Sequence, residues 1–181
     1  TRFKSERPKV LHEFNGKPMI HHVIESVLDA QIKSICLVVG YKKDDVKEAC
    51  KSFSTTYAFQ EEQLGTGHAV VCGLNELAET ASHCIVLAGD CPLIKSKTIE
   101  TIINLHINSK AKSTLLTAKL PDAGNYGRII RNSNNDIIAI REAKDCTTDE
   151  LKINEFNSGI YCFETATLKT TIKQLTTHNA Q

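Results

Sequence analysis

Asp90 closes an apolar run in Cys84-Ile85-Val86-Leu87-Ala88-Gly89-Asp90-Cys91-Pro92-Leu93-Ile94, and its carboxylate is the first group in the chain placed to do chemistry. An apolar run that stops at Gly-Asp and then meets proline reads as a buried strand of a parallel sheet, delivering a carboxylate to the sheet's carboxyl edge. Open α/β sheets bind ligands at that edge. Gly89 lets a ligand approach the backbone, and a carboxylate there suits a hard cation such as Mg²⁺ bound together with substrate phosphates. On this segment alone the plainer reading, a strand and an ordinary Asp/Pro turn, is preferred. The rest of the chain reverses that preference.

The second stretch is Gln60-Glu61-Glu62-Gln63-Leu64-Gly65-Thr66-Gly67-His68-Ala69. A strand end running into Gly-x-Gly at a helix start exposes backbone N–H groups and the positive end of a helix dipole, a cradle for an anion or nucleotide. Gln60 and Gln63 add amides that can read a base edge by paired donor and acceptor bonds. A lone Gly-Thr-Gly also serves plain turns. The opening residues carry Arg2, Lys4, Arg7 and Lys9 against Glu6, with Pro8 preventing a regular helix. Alone, they read as a solvated basic tail.

These groups need a scaffold, and the hydrophobic pattern supplies one. Met19, Ile20, Val23, Ile24, Val27 and Leu28 recur at helical spacing behind Pro18. Strands are expected at 34–40, 55–60 and 84–88. Helices are expected at about 42–52, from Gly65 through Leu77 and Ala78, and around Ile99 to His106 with Ser96 as its cap. This alternation is the signature of βαβ units, an α/β fold with a parallel sheet flanked by helices. A strand at 113–120 follows, then a hairpin of 128–131 and 137–140 about the polar turn 132–136, a strand at 157–163 and a last helix from Thr165. His21 and His22 are read as structural or surface residues.

Composition narrows the function classes. The 181 residues, 41% hydrophobic and 24% charged, suit about one domain. Lys+Arg 22 against Asp+Glu 21 leaves a net charge of +1, so no global field argues for nucleic acid or a membrane surface. Seven scattered cysteines without a CxxC pair are expected to be free thiols acting as small buried hydrophobes, and the expected location is the cytoplasm. No apolar run reaches membrane length and no signal peptide opens the chain.

With these residues in view a resemblance emerges. Arg7-Pro8-Lys9-Val10-Leu11, Gly16-Lys17-Pro18-Met19, Glu62-Gln63-Leu64-Gly65-Thr66-Gly67-His68-Ala69, Ala88-Gly89-Asp90-Cys91-Pro92-Leu93, Tyr126-Gly127-Arg128-Ile129 and Asn157-Ser158-Gly159-Ile160 run in order over essentially the whole chain. Together they resemble the uridylyltransferase domain of bacterial N-acetylglucosamine-1-phosphate uridylyltransferases. The resemblance implies a Rossmann-like nucleotidyltransferase domain, a mixed and mostly parallel sheet flanked by helices with a β-hairpin insertion. It implies the substrates UTP and N-acetylglucosamine 1-phosphate, the cofactor Mg²⁺ and a place in making peptidoglycan and lipopolysaccharide precursors. No nucleic acid or membrane is involved.

By position, the resemblance makes Asp90 the Mg²⁺ ligand, Lys9 a triphosphate contact and Arg2 the arginine of a glycine-rich loop, so that the basic opening becomes a phosphate clamp. Lys9, Gln60, Gly65, Thr66, Ala88 and Gly89 match nucleotide contacts; Tyr126, Gly127, Glu142 and Asn157 match contacts to the N-acetylglucosamine moiety. Without the resemblance Glu142 would be read as a solvated surface carboxylate, and Asn157 as a cap or turn residue. The implied reaction is attack of the sugar phosphate on the α-phosphorus of UTP with loss of pyrophosphate, which asks for alignment and charge neutralisation. None of the cysteines has a role in it.

Against the family pattern, residues 1–181 read as a partial domain. The family's first strand and most of its glycine-rich loop would precede Thr1, and a second metal ligand, an asparagine, would follow Gln181. The fragment alone is therefore expected to be inactive or nearly so. The family's carboxyl-terminal half, an acetyltransferase β-helix that forms homotrimers, is absent from this sequence. Two alternatives stand beside this reading: another sugar-1-phosphate nucleotidyltransferase of the same fold, and a non-catalytic nucleotide-sugar-binding module.

Overall fold

The apolar stripe behind Pro18 does form a helix, because Ile20, Val23, Ile24 and Val27 recur on one face and all are buried. The computed structural model describes residues 5–174. Its elements in order are β1 (Glu13–Phe14), β2 (Lys17–Pro18), α1 (Met19–Asp29), β3 (Cys36–Val39), α2 (Lys43–Cys50), β4 (Thr56–Phe59), α3 (Thr66–Leu74), β5 (His83–Val86), α4 (Ser96–Ser109), β6 (Ser113–Lys119), β7 (Arg128–Arg131), β8 (Ile137–Arg141), β9 (Glu155–Glu164) and α5 (Thr165–Thr171). A 3₁₀ turn at Lys9–Leu11 follows Pro8, which has no N–H to extend a helix.

Helices and a mixed set of strands confirm the α/β class. The pairing departs from the mostly parallel sheet expected. Among the described residues β3–β4 is the parallel pair, while β9 pairs antiparallel with β5, β6 and β7, and β7 with β8. The physical reason is β9. At ten residues it is long enough to run beside β6 along its whole length while its other edge meets β5 and then β7, and its direction makes each of those ladders antiparallel.

Between the halves lies an apolar cavity of about 680 Å³ lined by β3 and β5 and by residues of α1 and α3. The two strands do not pair across it; β3 joins β4 and β5 joins β9. Two apolar clusters flank this slot, one with Ile24, Leu37, Val46 and Cys50, the other with Ile102, Ile160 and Cys162.

Smaller differences have local causes. α3 stops at Leu74, short of Leu77 and Ala78. Ser96 is the first residue of α4 and not its cap; Lys95 holds that place, and its carbonyl accepts the N–H of Thr98 (2.9 Å). The hairpin forms as expected, with Asn132 Oδ1 accepting the N–H groups of Asn134 (3.0 Å) and Asp136 (2.9 Å). His21 and His22 are structural, each binding a main-chain carbonyl, of Ala49 at 2.9 Å and Phe14 at 2.7 Å.

Candidate functional site

Beyond Val86 the chain turns at once. The N–H of Cys91 reaches the carbonyl of Ala88 (3.3 Å) and that of Ile94 the carbonyl of Cys91 (3.1 Å), so Ala88, Gly89 and Asp90 form a tight corner at the end of β5. A Cβ on Gly89 would lie 2.9 Å from Ile20 Cδ1 and 3.2 Å from Val10 Cγ1. Glycine lets this corner rest on α1 and the 3₁₀ turn without displacing those side chains. That contact brings Lys9 to Asp90, and Lys9 Nζ donates to Asp90 Oδ2 across 81 positions of sequence. The lysine side chain is 57% exposed and the aspartate 27%, so a ligand can reach the pair from solvent.

Asp90 fits Mg²⁺ as a partner in a shared site. Among the described residues no cluster of three or more His, Cys, Asp or Glu side chains is arranged around a metal, and Asp90 already holds a cation, the Lys9 ammonium. Mg²⁺ characteristically takes one or two carboxylates with the remaining positions from phosphates and water.

The second stretch forms a turn into a helix, as its glycines suggest. Gly65 caps α3 with φ +92°, a left-handed conformation that side chains disfavour. Gln60 Nε2 donates to the Gly65 carbonyl (3.0 Å), fixing the loop. His68 reaches back, with Nδ1 2.9 Å from the Glu62 carbonyl and 3.3 Å from Gln60 Nε2. Gln60 and Gln63 line a cavity of about 510 Å³ with Gly40, Tyr41 and Phe59. Gly40 also lines the larger cavity, as do Lys9, Thr66 and Gly89. Gly40 thus borders both cavities, the larger of which is the apolar slot between β3 and β5.

The sugar-side residues form their own group. Gly127 lies against Glu142, whose Oε1 would be 3.4 Å from a Cβ at that position. The Asn157 N–H donates to the Gly127 carbonyl (2.8 Å), and Asn157 Oδ1 accepts the N–H of Gly159 (2.9 Å). The Tyr126 ring packs on Phe156 at 4.6 Å. Val86 pairs with Tyr161, and because the strands are antiparallel, β9 continues from Tyr161 back towards Asn157 alongside the corner that ends in Asp90. Arg2 lies outside the described residues.

Three residues here were not assigned roles from sequence. His68 and Arg128 stand inside quoted motifs without a function, and Tyr161 is missed altogether. Burial pushes the Tyr161 phenol above its usual value, helped by the Glu142 charge, while a hydrogen bond with the Asn157 side chain opposes the shift. Its signal was the period-two repeat of a strand, which puts it on Asn157's face. Among the cysteines, Cys50 and Cys162 are buried and the rest are half-buried; all are free. Burial, then the Asp90 charge, raises the Cys91 thiol, the opposite of what a nucleophile needs.

A family model for nucleotidyl transferases matches residues 4–181. The chain is 43% identical over 180 residues to the bifunctional protein GlmU of Clostridium botulinum (strain ATCC 19397 / Type A), covering 99% of this chain and 39% of that protein. It is 42% identical over 181 residues to the bifunctional protein GlmU of Clostridium perfringens (strain SM101 / Type A), covering 100% and 40%. The chain thus spans about two-fifths of the length of these curated relatives. A solved structure from Bacillus anthracis, assigned as a glucose-1-phosphate thymidylyltransferase in complex with a sucrose, superposes with a TM-score of 0.78 at 23% identity. It covers 96% of this chain and 69% of that one. At that identity the likeness speaks for the fold.

Proposed function

The chain belongs to the nucleotidyl transferase family, and from that premise we propose that it forms the uridylyltransferase part of a longer enzyme. That enzyme joins UTP and N-acetylglucosamine 1-phosphate into UDP-N-acetylglucosamine and pyrophosphate, as a cytoplasmic supplier of cell-wall precursors. A phosphate oxygen of the sugar phosphate attacks the α-phosphorus, and the bond to the pyrophosphate oxygen breaks. The observation that carries the reading is the Lys9–Asp90 pair, a cation and an anion exposed together at a glycine corner beside the Gly65 cradle. Each has a natural partner in a metal–triphosphate complex.

The residues take separate tasks. Asp90 would hold Mg²⁺, which when bound neutralises phosphate charge and orients the oxygens. Lys9 offsets negative charge on the departing phosphates, as Arg2 would from the preceding segment. Gln60 and the N-terminus of α3 receive the nucleotide, with Ala88 and Gly89 giving backbone access. Tyr126, Gly127, Glu142 and Asn157 receive the sugar, whose hydroxyl and acetamido groups need donors and acceptors of this kind. The slot between β3 and β5 accepts a strand from a preceding segment, whose backbone would satisfy both facing strand edges. On this view residues 1–181 alone turn over little, and any trimer forms through a domain outside this sequence.

The test is pyrophosphate release by the longer protein with UTP and N-acetylglucosamine 1-phosphate, run in competition with glucose 1-phosphate and with dTTP. Preference for the acetamido sugar and uracil supports the reading. Preference for another pair assigns a different sugar-1-phosphate nucleotidyltransferase, and UTP binding without any turnover assigns a binding module.

A further inference from the structure

Arg128 is 2% exposed, and among the described residues its hydrogen-bond partners are main-chain carbonyls. Nη1 donates to the Tyr126 carbonyl, and Nη2 donates to those of Gly124 (2.9 Å) and Leu151 (3.4 Å). Its Nε has no partner among the described residues. A guanidinium taken out of water and met by dipoles instead of a carboxylate is costly to the fold. Such a group needs a reason to be there, and its contacts supply one.

Two of the three carbonyls belong to the turn that presents Tyr126 and Gly127. The third belongs to the 3₁₀ turn Glu150–Lys152, which closes the segment beginning at Glu142. That turn is tied back to β8 by Arg141 Nη1 and Glu150 Oε1 at 2.5 Å, one residue before Glu142. The β7–β8 ladder, in which Arg128 pairs with Arg141, already sets Gly127 beside Glu142; the planar fork of Arg128 adds a clasp between the 124–126 turn and the 150–152 turn.

We propose that Arg128 is a positioning residue for the sugar phosphate: by clasping the 124–126 turn to the 150–152 turn it holds in place the turn that presents Tyr126 at the Gly127–Glu142 group. It touches no substrate itself. This rests on the uridylyltransferase reading given above.

Arg128→Lys keeps the charge but cannot bridge three carbonyls. In the longer protein it is expected to raise the KM for N-acetylglucosamine 1-phosphate about tenfold while leaving the KM for UTP within about twofold. A purely structural role would lower the active fraction and so kcat, with both KM values held. Asp122→Ala is the second variant, chosen because it folds whatever happens to a buried charge. It is exposed, and its Oδ1 accepts the Gly124 N–H (2.8 Å), steadying the same turn from outside. A sugar-phosphate KM raised about threefold is expected, again without change for UTP. If Arg128→Lys does not fold, Asp122→Ala decides. An active wild type whose folded variants keep the sugar-phosphate KM, or shift both KM values equally, overturns this proposal alone. A wild type inactive with every sugar 1-phosphate overturns the functional reading and this proposal with it.

Discussion

Lys9–Asp90 and Arg131–Glu155 are both ion pairs joining distant parts of the chain, yet they are finished in opposite ways. On the nucleotide side the Lys9 and Asp90 side chains are 57% and 27% exposed. On the sugar side Glu155 is buried, receiving Arg131 Nε at 2.9 Å and Nη2 at 2.8 Å, and Thr117 Oγ1 at 2.7 Å. The Arg131 bonds and the Thr117 bond outweigh burial and pull the Glu155 carboxyl from 4.5 down to about 2. On the proposed reading the Lys9–Asp90 pair is left open because a highly charged ligand would engage both groups. The Arg131–Glu155 pair, by contrast, is closed in on itself, with both Glu155 oxygens taken by neighbouring side chains. Removing the first should cost function, and removing the second should cost stability.

The sharpest way to break that contrast is Lys9→Ala. It should reduce pyrophosphate release by the longer protein about 10²–10³-fold, the range for losing one group that stabilises transition-state charge. Its unfolding free energy should stay within about 0.5 kcal/mol of wild type, read by chemical denaturation. A large loss of stability would place Lys9 with the structural pairs.

Glu155→Gln should do the reverse. Hydrogen bonds to a charged group contribute about 1.5–3 kcal/mol, so unfolding free energy should fall by roughly 2 kcal/mol while the folded fraction keeps its turnover. The pH dependence follows from the sign of the shift. A carboxyl depressed in the folded state leaves that state holding fewer protons than the unfolded chain, so its stabilisation is complete above 4.5 and disappears as pH falls towards about 2. The variant's stability curve should be flatter than wild type through that window, read by urea unfolding at stepped pH.

Gly89→Val would test the corner that joins the two charges. The new side chain would collide with Ile20 and Val10, costing about 1–3 kcal/mol and separating Lys9 from Asp90, so this one change should damage stability and turnover together. The smallest effect is expected at His106, fully buried with Nδ1 2.8 Å from Thr114 Oγ1. Burial first, then the neighbouring His83, lowers its pKa below 6.5. The unfolded chain therefore takes up the proton first, and stability should decline as pH drops below 6.5. His106→Gln should remove that part of the slope.

How much of this was legible beforehand follows the range of the interactions. The Gly-Asp corner, the Gly65 turn into α3, the α1 stripe and the 128–140 hairpin are written in neighbouring residues, and the structure keeps each of them. The antiparallel partnership of β5 with β9 joins residues 83–86 to 161–164, and nothing local announces it; two short apolar runs look alike whichever way they run. Buried charge was equally hidden. Arg128, Arg131 and Glu155 look like surface residues until the fold surrounds them, because a charged side chain is buried only where partners from elsewhere meet it. The Lys9–Asp90 contact belongs to the same long-range class: the resemblance gave each residue a role, and only the structure shows them paired.

The central claim is that Asp90 organises metal-dependent uridylyl transfer. It is tested most directly by measuring pyrophosphate release from UTP and N-acetylglucosamine 1-phosphate across a Mg²⁺ titration, for the longer protein and its Asp90→Asn variant. The account predicts turnover that needs Mg²⁺ in the wild type and falls at least about 10²-fold in a folded variant at every metal concentration. An Asp90→Asn protein that turns over like wild type with the same Mg²⁺ dependence would contradict it.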